Sequence, residues 1–213
     1  DTRIVSVGDQ PAAFADEVID IRGMTLMPGL ISCHLHPEFY RFTPAQGQAG
    51  ERPGKELPPG VLMAIGVRTC GVLLESGFTG YVGAGCAHDI DAQRKLAIAE
   101  AIMPGPRIRA CGHHIGTTAD LNDSQLWWKR YTTPGIDLFA DGPEDLRKVV
   151  REEIRRGAQT IKVFASSGRG FNGRTMRNIA RDELTAVVNT AHDLGTRVRA
   201  HVCDKAMILE CIE

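Results

Sequence analysis

Two histidines, His34 and His36, are the residues of this sequence whose type and spacing point most directly to chemistry. They follow an apolar run at residues 24–33, which is typical of a buried strand. Residues at positions i and i+2 of a strand point to the same face, so both imidazoles would share one side. Buried polar rings need partners, and a metal ion is the commonest partner for such a pair. The alternative is a pair of surface histidines on an exposed strand edge.

A lysine and a third histidine stand near the carboxyl ends of two later strand-like segments. Lys162 lies in the segment TIKVF, and His201 lies in the segment VRAHV. An ammonium group in an apolar strand is costly unless its charge is removed or compensated. A neutral lysine can react with carbon dioxide to give a carbamate, an anionic oxygen ligand able to bridge two metal ions. The alternatives are a lysine paired with a buried carboxylate and a histidine satisfied within the core.

The segments that must position these residues alternate between strand and helix patterns. Strand patterns cover residues 25–36, 78–84, 107–111, 159–165 and 197–202, and helix patterns cover 60–75, 91–103, 143–156, 182–194 and 204–213. Such alternation predicts an α/β fold with a parallel sheet covered by helices. Long connections at about 37–59 and 112–142 follow strands, where α/β barrels build their active sites. Two shorter β-type runs, 3–7 and 17–22, predict a small sheet outside the main domain.

Composition argues against several classes of function. A net charge of −1 gives no electrostatic attraction to nucleic acid or to an anionic membrane. No apolar stretch of the sequence approaches the roughly 18 residues of a membrane span. The six cysteines show no short-spaced framework, which is typical of reduced thiols, so we expect a cytoplasmic protein. The chain starts in a strand pattern and stops in a helix pattern, so we expect an internal portion of a longer protein.

Further motifs stand in a fixed order around these residues. They are MPGLISCHLH at 27–36, GFT at 77–79, PGPR at 104–107, GAQTIKV at 157–163, AHDLG at 191–195 and AH at 200–201. With these motifs the chain resembles the amidohydrolase superfamily of metal-dependent hydrolases over essentially its whole length. Within that superfamily it is most similar to the branch of imidazolonepropionase-like proteins and Xaa-Pro or Xaa-Arg dipeptidases.

The resemblance implies a fold and a metal site. The fold is part of a TIM-type (β/α)8 barrel at residues 27–213, with about five βα units, and part of a composite β-sandwich at residues 1–26. His34 and His36 would bind the more buried of two divalent ions, expected to be zinc. Lys162, carboxylated by carbon dioxide, would bridge the ions, and His201 would bind the second. A further histidine and the aspartate expected as general base lie beyond Glu213, so no catalytic residue is identifiable in this chain.

The implied activity is hydrolysis of a C–N bond of amide or peptide type by a metal-bridging hydroxide. The substrate would be a dipeptide or an N-acyl amino acid. The alternatives are a cyclic-amide hydrolase or deaminase of the same superfamily, and a non-catalytic homologue that acts as a scaffold. His113, His114 and Tyr131 are candidate substrate-binding residues, with ordinary loop residues as the alternative. We expect a small-molecule substrate and a homo-oligomer, without nucleic-acid or membrane partners.

One local feature fits the barrel interpretation poorly. Arg197 and Arg199 have the same strand parity as His201, so a regular strand would point them into the barrel. A bulky unpaired cation inside a barrel is costly. We therefore expect carboxylate partners for these arginines, or a position at the solvent-open end of the barrel.

Overall fold

The structure, a computed structural model, describes residues 3–8, 16–39, 57–120, 122–123, 125–169 and 173–213. Its strands are β1 Leu30–Leu35, β2 Phe78–Gly83, β3 Arg107–Arg109, β4 Cys111–Gly116, β5 Asp137–Phe139, β6 Thr160–Phe164, β7 Ser166–Arg169, β8 Thr175–Arg177 and β9 Arg197–His201. Its α-helices are α1 Pro59–Glu75, α2 Ile90–Ala99, α3 Gly142–Arg155, α4 Arg181–Asp193 and α5 Lys205–Ile212. Short 3-10 turns cover Pro37–Phe39 and Ala87–Asp89.

Parallel strands form two connected sheets. One sheet has the order β1-β2-β3, the other has the order β5-β4-β6-β9, and every pairing within both is parallel. The sheets meet where the N–H of Cys86 donates to the carbonyl of Gly112 at 2.9 Å. A hairpin of antiparallel strands, β7 and β8, follows β6. This is an α/β fold with parallel sheets, consistent with part of the predicted (β/α)8 barrel.

The largest apolar core lies between the second sheet and its helices. Ile161 and Val163 of β6 pack with Leu146 and Val150 of α3, and all four side chains are buried. Because successive strand residues point to opposite faces, the residues between them point to the other side, which we call the inner face. Ile161 and Val163 of β6 therefore pack against the helices, whereas Lys162 between them lies on the inner face.

Capping side chains explain where two of the helices begin. The Glu183 carboxylate accepts the N–H of Ala180 at 2.7 Å at the start of α4. Asp204 accepts the N–H of Met207 at 3.0 Å at the start of α5. Gly195 follows α4 with φ +73°, a left-handed conformation that glycine adopts without strain. The alternation of strands and helices that the sequence predicts is confirmed by these elements.

The strand predicted at 107–111 is wrong as a single element. The chain forms β3 and then β4, separated by Ala110, whose carbonyl accepts the N–H groups of Gln159 and Thr160 at 2.8 and 3.1 Å. Two donors on one acceptor interrupt the regular ladder at this residue, as in a bulge. The strand then continues to Gly116, so the loop predicted at 112–142 contains most of β4 and all of β5.

The described residues before β1 form no strand. Residues 3–8 and 16–29 are exposed and pair with no described strand, so the structure does not contain the predicted runs at 3–7 and 17–22, and β1 begins at Leu30 instead of residue 25. The assignment of residues 1–26 to a β-sandwich and of 27–213 to the barrel stays a prediction, as does the number of βα units. Of the predicted loop at 37–59, residues 40–56 lie outside the described residues. None of the described helices is long and apolar enough to cross a membrane.

Candidate metal centre

His36 follows β1 and is held by a hydrogen bond on one side of its ring. Its Nδ1 lies 2.9 Å from the carbonyl of Gly85, which can only accept, so Nδ1 carries the proton and Nε2 keeps a lone pair. The ring stacks on Phe39 with ring centres 4.6 Å apart. Burial, with the charge of His114 acting in the same direction, lowers the pKa of His36 to about 3. A neutral imidazole with one nitrogen held and the other free is the form in which histidine binds a metal.

Gly85 makes this arrangement possible. It adopts φ +130°, and a Cβ built on it would lie 2.1 Å from Nε2 of His114. Any other residue would therefore collide with that ring while trying to offer its carbonyl to His36. The prediction from sequence did not include Gly85; the signal that could have found it is the run of small residues at 83–86, which begins at the last residue of β2.

Lys162 stands on the inner face of β6 and is 3% exposed. Its Nζ lies 5.3 Å from the centre of the Phe164 ring, and no carboxylate of the described residues acts on its titration. Burial lowers the pKa of Lys162 to about 8, with the charge of Arg199 acting in the same direction. A neutral fraction near neutral pH is the form that reacts with carbon dioxide. The alternative of a lysine paired with a buried carboxylate has no support in the described part of the chain.

His34 and His201 are the two more exposed histidines of the set. The ring centre of His34 lies 5.3 Å from that of His36. His201 ends β9, stacks on Phe164 with ring centres 4.5 Å apart, and has Nε2 3.3 Å from the thiol of Cys203. Partial burial, together with the charge of Lys162, lowers the pKa of both histidines. Both rings are therefore held in the neutral form that has a lone pair to give.

His114 of β4 faces the same interior. Its ring centre lies 5.5 Å from that of His36 and 5.0 Å from that of Phe164. Its Nδ1 lies 3.0 Å from Oδ1 of Asp137, and its Nε2 lies 3.1 Å from the carbonyl of Ala84. Each ring nitrogen of His114 therefore already faces a protein acceptor, a carboxylate on one side and a carbonyl on the other. Its predicted role in substrate binding stays a prediction.

His113, the preceding residue of β4, points the other way. It is 4% exposed, its Nδ1 lies 3.0 Å from Oε1 of Glu153, and its backbone N–H donates to the same carboxylate at 2.7 Å. Although burial opposes it, the hydrogen bond and charge of Glu153 raise the pKa of His113. The structure thus places His113 in the helix layer, apart from the inner-face histidines. A substrate contact for His113 has no support from this position.

The side chain of His113 belongs to a second group of possible metal ligands. Asp89, His113 and Glu153 bring three ligand atoms within 4.8 Å of one another. Each already has a protein partner, since Asp89 also accepts from Arg156 at 3.1 Å. We interpret this group as a polar anchor between β4 and the helices, because its donors and acceptors are satisfied without an ion.

The four predicted ligands face the same interior: His34 and His36 at the carboxyl end of β1, Lys162 in the middle of β6 and His201 at the carboxyl end of β9. The charge of Lys162 acts on His34, His36 and His201 alike. Within the described residues these three histidines do not bring their ligand atoms within 4.8 Å of one another as a group. The ligand roles themselves stay predictions.

A buried charge cluster holds the chain directly after the histidine pair. Arg94 of α2 contacts the carboxylates of Glu38 and Asp91, and all three side chains are at most 1% exposed. The hydroxyl of Tyr81 donates to Asp91 at 3.0 Å. Burial raises the pKa of Glu38 to about 6. This Arg94 cluster ties the turn that follows His36 to helix α2 and strand β2.

Three further residues bear on the site: Tyr131, Phe164 and Arg199. Tyr131 is half-buried in the connection from β4 to β5, where its hydroxyl accepts the N–H of Leu126 at 3.2 Å, and its predicted substrate contact stays a prediction. Phe164 and Arg199 were not predicted to belong to the site, yet both lie on its inner face. The signal that finds them is alternation: each stands two residues from a predicted ligand on the same strand.

Comparison with known proteins identifies the family of this chain. The sequence profile of the amidohydrolase family matches residues 25–213. Ochratoxinase from Aspergillus niger is 28% identical over 216 residues, an alignment that covers 88% of this chain and 41% of ochratoxinase. The crystal structure of Aspergillus niger ochratoxinase matches with a TM-score of 0.71 and 27% identity, over 87% of this chain and 45% of its own.

A prolidase solved in complex with N-methylphosphonate-L-proline matches with a TM-score of 0.78 and 27% identity, over 99% of this chain and 52% of its own. The chain therefore spans about half the length of these relatives. Because the family profile extends over most of the sequence and includes every predicted metal ligand, the chain belongs to the amidohydrolase family.

Proposed function

We propose that the full-length protein hydrolyses a C–N bond of amide or peptide type with the help of two divalent metal ions. His34, His36 and His201 would hold the ions, and Lys162 would bridge them as its carbamate. The observation that carries this proposal is the inner-face group itself. It consists of three imidazoles kept neutral and a buried lysine without a carboxylate partner among the described residues, at the carboxyl ends of parallel strands. In (β/α)8 barrels, chemistry takes place at this end.

The donor set fits such ions. Neutral imidazole and an anionic oxygen are ligands that zinc accepts, and zinc is therefore the ion we propose. The Gly85 carbonyl orients His36 with Nε2 toward the inner face, as partners of ligating histidines commonly do. When bound, two divalent ions would supply Lewis acidity to a carbonyl oxygen and lower the pKa of bound water toward about 7.

The residues of this chain have supporting tasks in that chemistry. Phe164 separates His114 from His201 and covers the Lys162 side chain on one side, which keeps water away from the amine. The ring of His114 is fixed between Asp137 and the carbonyl of Ala84, so it would contribute a polar side to the site rather than a metal ligand.

The relatives support a dipeptide or an N-acyl amino acid as substrate. The matching prolidase was solved with a ligand whose name contains L-proline linked through nitrogen. This ligand favours hydrolysis at a C–N bond next to an amino acid. The homo-oligomeric state and the cytoplasmic location stay predictions from sequence.

Metal analysis combined with substrate profiling tests the proposal. The full-length protein would be assayed for bound zinc, manganese and iron, and then profiled against a library of dipeptides and N-acyl amino acids. His36→Ala and Lys162→Ala should each lower metal content and reduce kcat/KM at least about 100-fold. His192→Ala is the matched control, because it removes an exposed imidazole on α4 and should change neither. A full-length protein without bound metal, or a fully active Lys162→Ala variant, would contradict the proposal.

A further inference from the structure

Arg199 lies beside Lys162 on the inner face of the sheet. Strands β6 and β9 pair in register with Lys162 opposite Arg199 and Phe164 opposite His201. Alternation along β9 places Arg199 on the same face as His201, two residues earlier in the strand. The arginine is thus one layer deeper than the predicted ligand and directly next to the lysine. The sequence pattern predicted this inward direction and marked it as a poor fit to a barrel interior.

The guanidinium group of Arg199 has unused hydrogen-bonding capacity. Its Nη1 atom is buried and has no hydrogen-bond partner in the part of the chain that the structure describes. The carboxylate partner that the sequence led us to expect is not present among those residues either. Arg199 as a whole is half-buried, but a buried donor atom without a partner costs free energy, so an acceptor brought close to Nη1 would stabilise this position.

The residues that strand β6 places beside Arg199 offer it no anion. Lys162 pairs with Arg199 across the two strands, and Thr160 and Phe164 stand two residues to either side on the same face. An anion formed on Lys162 would therefore lie directly across the strand pair from Arg199, whose Nη1 has no hydrogen-bond partner among the described residues.

We propose that Arg199 is a positioning residue that stabilises the carbamate of Lys162 before the metal ions bind. In this step the lone pair of the neutral Lys162 amine attacks the carbon of dissolved carbon dioxide, and a C–N bond forms. One C=O π pair moves onto oxygen, and the nitrogen releases a proton to solvent. The product carries one negative charge, which the guanidinium meets with a charge-assisted hydrogen bond. This inference rests on the proposed function, because that function supplies the carbamate.

The expected consequence is that carboxylation does not require metal. Metal-free full-length protein would be titrated with ¹³C-labelled bicarbonate, and the carbamate signal would be followed by ¹³C NMR. We expect Arg199→Met to raise the bicarbonate concentration at half occupancy at least tenfold. Arg197→Met is the matched control, since it removes an exposed arginine from the same strand and should leave the titration unchanged.

A second variant keeps the test usable if the methionine variant does not fold, as judged by circular dichroism. Arg199→Lys keeps the charge but not the planar fork of donors, and we expect an intermediate shift of a few-fold. Equal titrations of wild type and of whichever Arg199 variant folds would overturn the role of Arg199 and leave the proposed function intact. A signal that appears only after metal loading would overturn it in the same way. Absence of a carbamate signal with and without metals would overturn both.

Discussion

Replacing Arg94 with methionine should destabilise the protein strongly, because Arg94 neutralises two carboxylates away from water. The guanidinium is fully buried and contacts Glu38 and Asp91, each of which has a side chain only 1% exposed. Arg94→Met keeps most of the side-chain volume but leaves both carboxylates without a counter-charge. They would then have to be buried unpaired or take up protons.

The size of the effect follows from this burial. Removing one partner of a buried ion pair costs about 3–5 kcal/mol in the free energy of unfolding. At about 2–4 °C per kcal/mol for a domain of about 150–250 residues, the melting temperature should fall by about 6–20 °C. Burial already raises the pKa of Glu38 to about 6, so its contribution to stability is present at low pH and lost as the pH rises through that value. Loss of Arg94 raises this pKa further, so the variant should be most destabilised above pH 6.

Chemical denaturation of the full-length protein at pH 5 and pH 8 measures both effects. Arg155→Met is the matched control, because Arg155 is 73% exposed and its pair with Glu152 lies on the surface. Such pairs contribute about 0–1 kcal/mol. Adding Glu38→Gln and Asp91→Asn to Arg94→Met should recover part of the loss, since no charge then remains in the Arg94 cluster. If Arg94→Met lost no more stability than Arg155→Met, the burial argument would be refuted.

Three further outcomes are expected. Gly85→Ala should lower metal affinity about 10–100-fold, because a Cβ there would overlap the His114 ring and move the carbonyl that orients His36. Gly60→Ala is the control, because the added Cβ meets nothing within 4 Å. Equal metal dissociation constants of the two variants would argue against this role of Gly85. Glu153→Gln should cost more stability at pH 6 than at pH 8.5, because the stability that protonated His113 contributes through its raised pKa is lost as the pH rises. A stability difference between variant and wild type that does not change with pH would contradict this. Chelation of metal from the full-length protein should lower its melting temperature, and re-addition of zinc should restore it; an unchanged melting curve would count against a bound ion.

Sequence periodicity predicts the parts of this fold that depend on local pattern. The helix that begins near Gly142 has acidic residues in its first turn, and β6 is an apolar run with one lysine. Both features depend on residues close in sequence, and both are found where they were predicted. The break at Ala110 could not be predicted in this way, because it depends on the N–H groups of Gln159 and Thr160, about fifty residues away.

The side of the sheet that each of the two adjacent histidines of β4, His113 and His114, faces cannot be predicted from sequence alone. Their order predicts that they face opposite sides of the sheet, but not which of them faces the inner side. The choice depends on packing: Glu153 of α3 fixes His113 in the helix layer through the backbone and the ring, which leaves His114 to face His36. A partner contributed by a later helix thus decides the composition of the site. For the same reason the inner-face position of Arg199 was predicted from parity, whereas its lack of a carboxylate partner among the described residues required the structure.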